Sequence, residues 1–173
     1  MNRRSFVQLL CAAACASALP AAGCKKSSTS AGGGGGSSYP LHKLQELPPQ
    51  ERAAAQLKLA DSRWDQGWLA AHPADRALAD GLIAAGQSQQ GPAAHQAQLE
   101  ARAGHDVWDR LGAITCPALV GYGNYDQIAP VQNSAAIASR IRGAELRGYE
   151  GGHLFLFQDP AALPEFEAFL QAP

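Results

Sequence analysis

Apolar positions recur at helical spacing through the first half of the chain and contract into two short, dense runs in the second half. From Gln50 to about Ser62, Ala54, Leu57 and Ala60, joined by Leu59, repeat one face of a helix. Pro48-Pro49 with Glu51 in the first turn marks its start. Trp64, Trp68 and Leu69 form an apolar cluster around a short second helix, and Pro73 opens a third in which Ala77, Leu78, Leu82 and Ile83 share a face. Gly86 to Pro92 is a polar break. Ala93 to Ala103 predicts another helix, closed by Gly104. Asp106 stands where it would cap a short helix holding Val107, Trp108 and Leu111, which Gly112 ends.

Beyond that point the pattern changes. The near-continuous apolar run Ala118 to Tyr122 predicts a strand buried on both faces. Val131 to Arg142 is an amphipathic helix with Val131, Ala135 and Ala138 on its apolar face, widened by Ile137 and Ile141 and stopped by Gly143. Ala144 to Glu150 predicts a second strand. Asp159-Pro160 reads as a cap followed by proline, opening a last helix that buries Leu163, Phe166, Phe169 and Leu170. Strand, helix, strand, helix is a βαβα unit with parallel strands. No third strand is evident, and two parallel strands do not make a stable covered sheet alone. The expected fold class is therefore α/β, a helical segment at 39–104 followed at 105–173 by the end of a larger α/β architecture. The unpaired edges of the two strands invite pairing, so a homodimer or a complementing protein chain is an expected partner.

With 173 residues there is room for one domain, and a formal net charge of -1 leaves no electrostatic footprint for nucleic acid. No apolar run is long enough to span a bilayer. His42, His72, His95 and His105 share no metal-ligand spacing, and neither a metal nor another cofactor is expected. The three tryptophans, Trp64, Trp68 and Trp108, serve core packing on this reading.

The amino-terminal stretch belongs to targeting. Paired arginines and Phe6, a short apolar region from Val7 to Leu19, and Ala21-Ala22-Gly23-Cys24 have the layout of an export signal at 1–23. Arg3-Arg4 with Phe6 resembles a twin-arginine signal. Ala21-Ala22-Gly23-Cys24 is similar to a bacterial lipobox, with Ala21 where leucine is usual and Cys24 as the lipid attachment site. Cys11 and Cys15 would leave with the signal, so Cys116 alone remains in the mature fold, read as a small buried residue entering a strand. At 24–38 the lipid-bearing cysteine is followed by five glycines among serines, a flexible tether reaching about 20 Å. The expected location is outside the cytoplasm, lipid-anchored to a membrane facing the periplasm. Lys25 after the cysteine implies the outer membrane under the enteric-type sorting pattern.

The chemistry concentrates between Thr115 and Pro160. Asp126 follows the first strand in a Gly-rich turn, and His153 follows the second in a Gly-Gly-His turn. Parallel neighbours would bring both turns to one carboxyl edge of the sheet, where α/β proteins place their sites. An aspartate there can accept from an imidazole N–H and fix its tautomer, two parts of a nucleophilic hydrolase site. Taken singly, Asp126 also reads as a turn-forming residue before Pro130, and His153 as a packing histidine.

The segment Ile114-Thr115-Cys116-Pro117-Ala118-Leu119-Val120, then Gly123-Asn124-Tyr125-Asp126-Gln127-Ile128-Ala129-Pro130, resembles the penultimate-strand motif of α/β-hydrolases. Gly151-Gly152-His153 with Leu154-Phe155 and Asp159-Pro160 is similar to that family's terminal histidine turn, and His105 to Leu111 to its lead-in from cap to core. The resemblance runs from about Pro48 to the carboxyl terminus. It implies a partial α/β-hydrolase fold, with 39–104 as a cap-like segment, Asp126 as triad acid, His153 as triad base, and small esters or lactones as ligands.

The sequence departs from the family where a nucleophile is needed. A G-x-S-x-G elbow and an oxyanion-hole loop should precede the cap, and neither is found. Gly86-Gln87-Ser88-Gln89-Gln90-Gly91 is a near miss, with Ser88, Asp126 and His153 in the family's order. Gln90 replaces the glycine, however, and the run before Ser88 reads helical. An esterase- or lactonase-like protein that is catalytically incomplete is the expectation. A membrane-tethered, non-catalytic protein binding an apolar ligand or a partner is the alternative.

Overall fold

The computed structural model describes residues 39, 41–88, 97, 101 and 106–172. The export signal, Cys24, the Gly/Ser tether, and most of the helix expected at 93–103 with Gly104 lie outside the described residues.

The amino-terminal part is helical. After a 3-10 helix at Leu41–Glu46, α1 spans Pro49–Ala60 with proline at its start, Glu51 in its first turn and Lys58 in its last, a charge order that matches the helix dipole. Helix α2, Gln66–Ala71, is capped by Asp65, whose carboxylate accepts from the Trp68 backbone N–H at 2.8 Å. Helix α3 spans Pro73–Ser88. It runs through Gly86 into the stretch expected to be a polar break, and its most buried residue is Ala79 rather than Ala77, which is exposed. The three helices enclose a core of Ala60, Trp64, Leu69 and Ala79.

The carboxyl-terminal part is a small three-layer unit. Strand β1, Leu119–Gly123, pairs in parallel with β2, Glu145–Tyr149, in the register Leu119↔Glu145 to Gly123↔Tyr149. The fold is thus helix-rich α/β with a two-stranded parallel sheet. Helix α4, Val131–Arg140, and the 3-10 helix Trp108–Ala113 pack on one face, where Leu111, Ala118 and Ile141 are buried. Asp106 accepts from the Trp108 N–H at 2.9 Å at the start of that 3-10 helix. Helix α4 ends two residues before the expected boundary, and Gly143 adopts φ +77 in the turn to β2.

Two helices cover the other face: a single turn α5, Phe155–Gln158, and α6, Ala162–Gln171. They bury Phe155, Ala162, Phe166 and Phe169 against Leu119 and Tyr149. Leu163 and Leu170, expected inside, are 49% and 44% exposed, because α6 turns only the Ala162, Phe166, Phe169 stripe to the sheet. Asp159 does not cap α6 directly. Its carboxylate accepts from the Ala161 N–H at 2.9 Å and, with its other oxygen, from the Glu150 N–H at 2.8 Å, so it braces the turn between α5 and α6 against the end of β2.

The helical part and the sheet part meet at the carboxyl ends of the two strands. Ile128, just after β1, and Leu154, just after the turn that follows β2, pack against the Trp64 core. That joint is where the candidate site lies.

Candidate active site

Asp126 and His153 come together as the parallel topology requires. His153 Nδ1 lies 2.9 Å from Asp126 Oδ2. A carboxylate only accepts, so Nδ1 carries the proton, and whenever the ring is neutral its lone pair is on Nε2. The two side chains are 15% and 6% exposed. The other oxygen of Asp126 is occupied separately: Oδ1 accepts from the backbone N–H groups of Ile128 and Ala129, each at 2.8 Å. One oxygen of Asp126 thus braces its own turn and the other meets the imidazole.

The backbone draws the two turns together. The Asn124 N–H donates to Tyr149 O at 3.0 Å and the Tyr125 N–H to Gly151 O at 2.9 Å, extending the β1–β2 ladder past the strands. Glycine is needed here for space rather than for a positive φ. A Cβ on Gly123 would collide with the carbonyl oxygens of Gly151 and Gly152, and one on Gly152 would run into Ala60 O and the Asp61 Cβ.

What lies behind the turns was not read from the sequence. The end of α1 and the residues after it, Leu59 to Arg63, dock on both turns at once. The His153 N–H donates to Ala60 O at 2.6 Å, the Gln127 N–H to Leu59 O at 3.0 Å, and the Ser62 N–H to Tyr125 O at 3.0 Å. Beside this seam sits a polar cluster. Asp61, 0% exposed, accepts from Arg63 Nε at 2.9 Å and Nη2 at 2.6 Å, and from Gln158 Nε2 at 2.8 Å. Gln158 Nε2 also lies 3.2 Å from Asp75 Oδ1, and Trp68 Nε1–H donates to Asp75 Oδ2 at 2.6 Å. Arg63 stacks over Tyr125, with 4.8 Å to the Trp68 ring and 3.9 Å to that of Tyr125.

Charge balance in this cluster is visible in its acidities. Burial pushes the Asp75 carboxyl up, but the Trp68 and Gln158 hydrogen bonds and the charge of Arg63 outweigh it and hold the group below the ordinary carboxylate range. Partial burial works against the Arg63 charge, yet the bonds and charge of Asp61 keep its pKa raised. Once the structure ends α1 at Ala60, Asp61 stands directly after the helix, against its dipole, which asks for a cationic partner.

Ser88, the candidate nucleophile, is the final residue of α3. Its backbone is helical, whereas an elbow serine sits on a strand-to-helix turn. Among the described residues no strand precedes it. His72 stacks on Trp68 with ring centroids 3.8 Å apart, and His95 and His105 lie outside the described residues. No group of three or more His, Cys, Asp or Glu among the described residues could hold a metal ion. Cys24, the expected lipid attachment site, also lies outside them.

No protein-family model and no curated protein matches the sequence. Solved structures do. An esterase from Exiguobacterium antarcticum is similar over 77% of this chain and 46% of its own, with a TM-score of 0.59 and 16% identity. A hydrolase from Oleispira antarctica is similar over 78% of this chain and 46% of its own, with a TM-score of 0.58 and 18% identity. A hydrolase from Pseudomonas aeruginosa PA01 is similar over 76% and 48%, with a TM-score of 0.56 and 24% identity. The chain spans about half the length of these proteins. The helical segment, the parallel strand pair and these likenesses together give the chain the fold of part of an α/β-hydrolase.

Proposed function

We propose that this chain supplies the acid and the base of an ester- or lactone-cleaving site, with the nucleophile and the oxyanion-hole donors arriving on a further polypeptide segment. The observation that carries the proposal is the 2.9 Å contact between His153 Nδ1 and Asp126 Oδ2 at the carboxyl edge of the sheet. In the reaction, His153 Nε2 takes the proton of a hydroxyl nucleophile as its oxygen attacks the ester carbonyl. It then returns that proton to the leaving alkoxide, while Asp126 stabilises the imidazolium between the two steps. Asp126 can do this without moving, because its turn bonds use the other oxygen.

A base without a nucleophile leaves only residual acceleration, and lacking oxyanion donors costs a further 2.7–4 kcal/mol or so. The chain alone is therefore expected to give no turnover above background on a panel of short activated esters and lactones. Turnover abolished by both His153→Ala and Ser88→Ala would overturn that expectation and make Ser88 the nucleophile. Turnover abolished by His153→Ala alone would instead indicate a water activated by the pair.

A second reading, a non-catalytic protein that binds a partner, draws on the surface. Leu146, Leu163 and Leu170 are exposed, and Phe157 is 72% exposed. In either reading we propose a lipid anchor at Cys24 that tethers the folded part to a periplasm-facing membrane. Labelled palmitate should enter the wild type and not Cys24→Ser; equal labelling of both would exclude the anchor.

A further inference from the structure

Asp61 and Gln158 are both committed to the turn that carries His153. Gln158 faces two ways. Its Oε1 accepts from the Gly152 N–H at 2.8 Å, and its Nε2 donates to the fully buried Asp61 at 2.8 Å. Asp61 is in turn held by the paired bonds from Arg63. The orientation of the Gln158 amide is thus dictated: the nitrogen must face the carboxylate, so the oxygen must face the backbone N–H. The residue after Gly152 is His153, and its own N–H is fastened to Ala60 O, the carbonyl just before Asp61. The buried carboxylate, 97 residues from Gln158 along the chain, therefore backs the bond to the Gly152 N–H, while the neighbouring Ala60 carbonyl holds the next N–H of the turn.

We infer that Asp61 and Gln158 are positioning residues that hold His153 Nδ1 in register with Asp126. The inference rests on the proposed acid–base role of that pair, but the arrangement is specific enough to test without turnover. A rotation of the Gly151–Gly152 peptide, whose N–H Gln158 holds, would carry the following His153 with it, and the 2.9 Å Nδ1 contact tolerates little of that. Gly151 and Gly152 bring no side chains of their own to the turn, so its backbone polar contacts act together with the close approach of Ala60 and Asp61.

The test is nuclear magnetic resonance of the purified chain with labelled histidine and glycine. The wild type should show a downfield His153 Nδ1–H signal that Asp126→Asn removes, and a protected Gly152 amide. Gln158→Met keeps length and volume but deletes the hydrogen bonds to Gly152, Asp61 and Asp75. It should speed Gly152 amide exchange about tenfold, the size expected for one hydrogen bond. It should also shift the Nδ1–H signal upfield or lose it to exchange, while α4 amides stay as in the wild type. Asp61→Asn should do the same to a smaller extent, and Phe157→Ser, at an exposed neighbour, should do neither.

A folded Gln158→Met chain with both readouts unchanged would overturn the inference. If that variant does not fold, the wild type and Asp61→Asn decide. A wild-type Gly152 amide exchanging as fast as an open turn amide, or an unchanged Nδ1–H signal in Asp61→Asn, would refute it equally. Absence of the Nδ1–H signal from the wild type would instead sink the acid–base reading itself, so the two failures are distinguishable.

Discussion

Replacing Asp61 with alanine should be among the most damaging single changes available to this chain. The carboxylate is 0% exposed and accepts from Arg63 N at 2.9 Å, Arg63 Nε at 2.9 Å, Arg63 Nη2 at 2.6 Å and Gln158 Nε2 at 2.8 Å. Removing one partner of a buried ion pair typically costs about 3–5 kcal/mol, because the other charge stays behind unpaired. Four features lower the figure here. The Arg63 side chain is 18% exposed, it lies 3.7 Å from Glu150 Oε2, and it keeps its contact with the Tyr125 ring. Gln158 Nε2 also retains Asp75 Oδ1 at 3.2 Å.

The expected loss is therefore about 2–4 kcal/mol, a large share of the ~5–15 kcal/mol that holds a typical domain together. Urea unfolding followed by tryptophan fluorescence reads it directly, since Trp64 and Trp68 lie beside the cluster. Pairing Asp61→Ala with Arg63→Met in a double-mutant cycle isolates the interaction: once Asp61 is gone, removing Arg63 should cost little more and could restore stability. A loss below about 1 kcal/mol for Asp61→Ala, with the unfolding slope unchanged, would refute the account of Asp61 as the anchor between the helices and the histidine turn.

Two other perturbations test the same joint and the sheet beside it. Gly152→Ala must push Ala60 O and the Asp61 side chain away from the histidine turn, so it should destabilise by more than about 2 kcal/mol and weaken the His153–Asp126 contact; a neutral effect in urea would contradict the close approach. Tyr149 is buried and donates to Glu165 Oε2 at 3.1 Å, and burial first, then that carboxylate, push its phenol up to about 12. Its folded value is raised, so this contribution is complete below the ordinary tyrosine value and fades as pH rises toward 12. Unfolding profiles between pH 10 and 12 or so should flatten in Tyr149→Phe, and parallel alkaline slopes would count against the assignment.

Local pattern alone determined a good deal of this protein. The periodicities of α1, α3 and α4 and the apolar run of β1 are properties of consecutive residues. The meeting of Asp126 with His153 followed from one topological rule: parallel neighbouring strands end at the same edge, so turns that follow them must share it. Which side of a helix faces inward was less visible. Ala77 and Ala79 are equally apolar, and Leu163 and Leu170 are as apolar as Phe166, so only the docking of α3 on the tryptophans and of α6 on the sheet decides which of them is buried. Least visible of all was the support behind the site. Asp61, Arg63, Asp75 and Gln158 look like ordinary surface residues of helices and loops in the sequence. The burial of Asp61 and the partial burial of the other three depend on packing the helical segment against the ends of two strands that lie far along the chain. A buried carboxylate acquires its meaning from the donors that surround it, and no spacing within one element specifies donors that arrive from another.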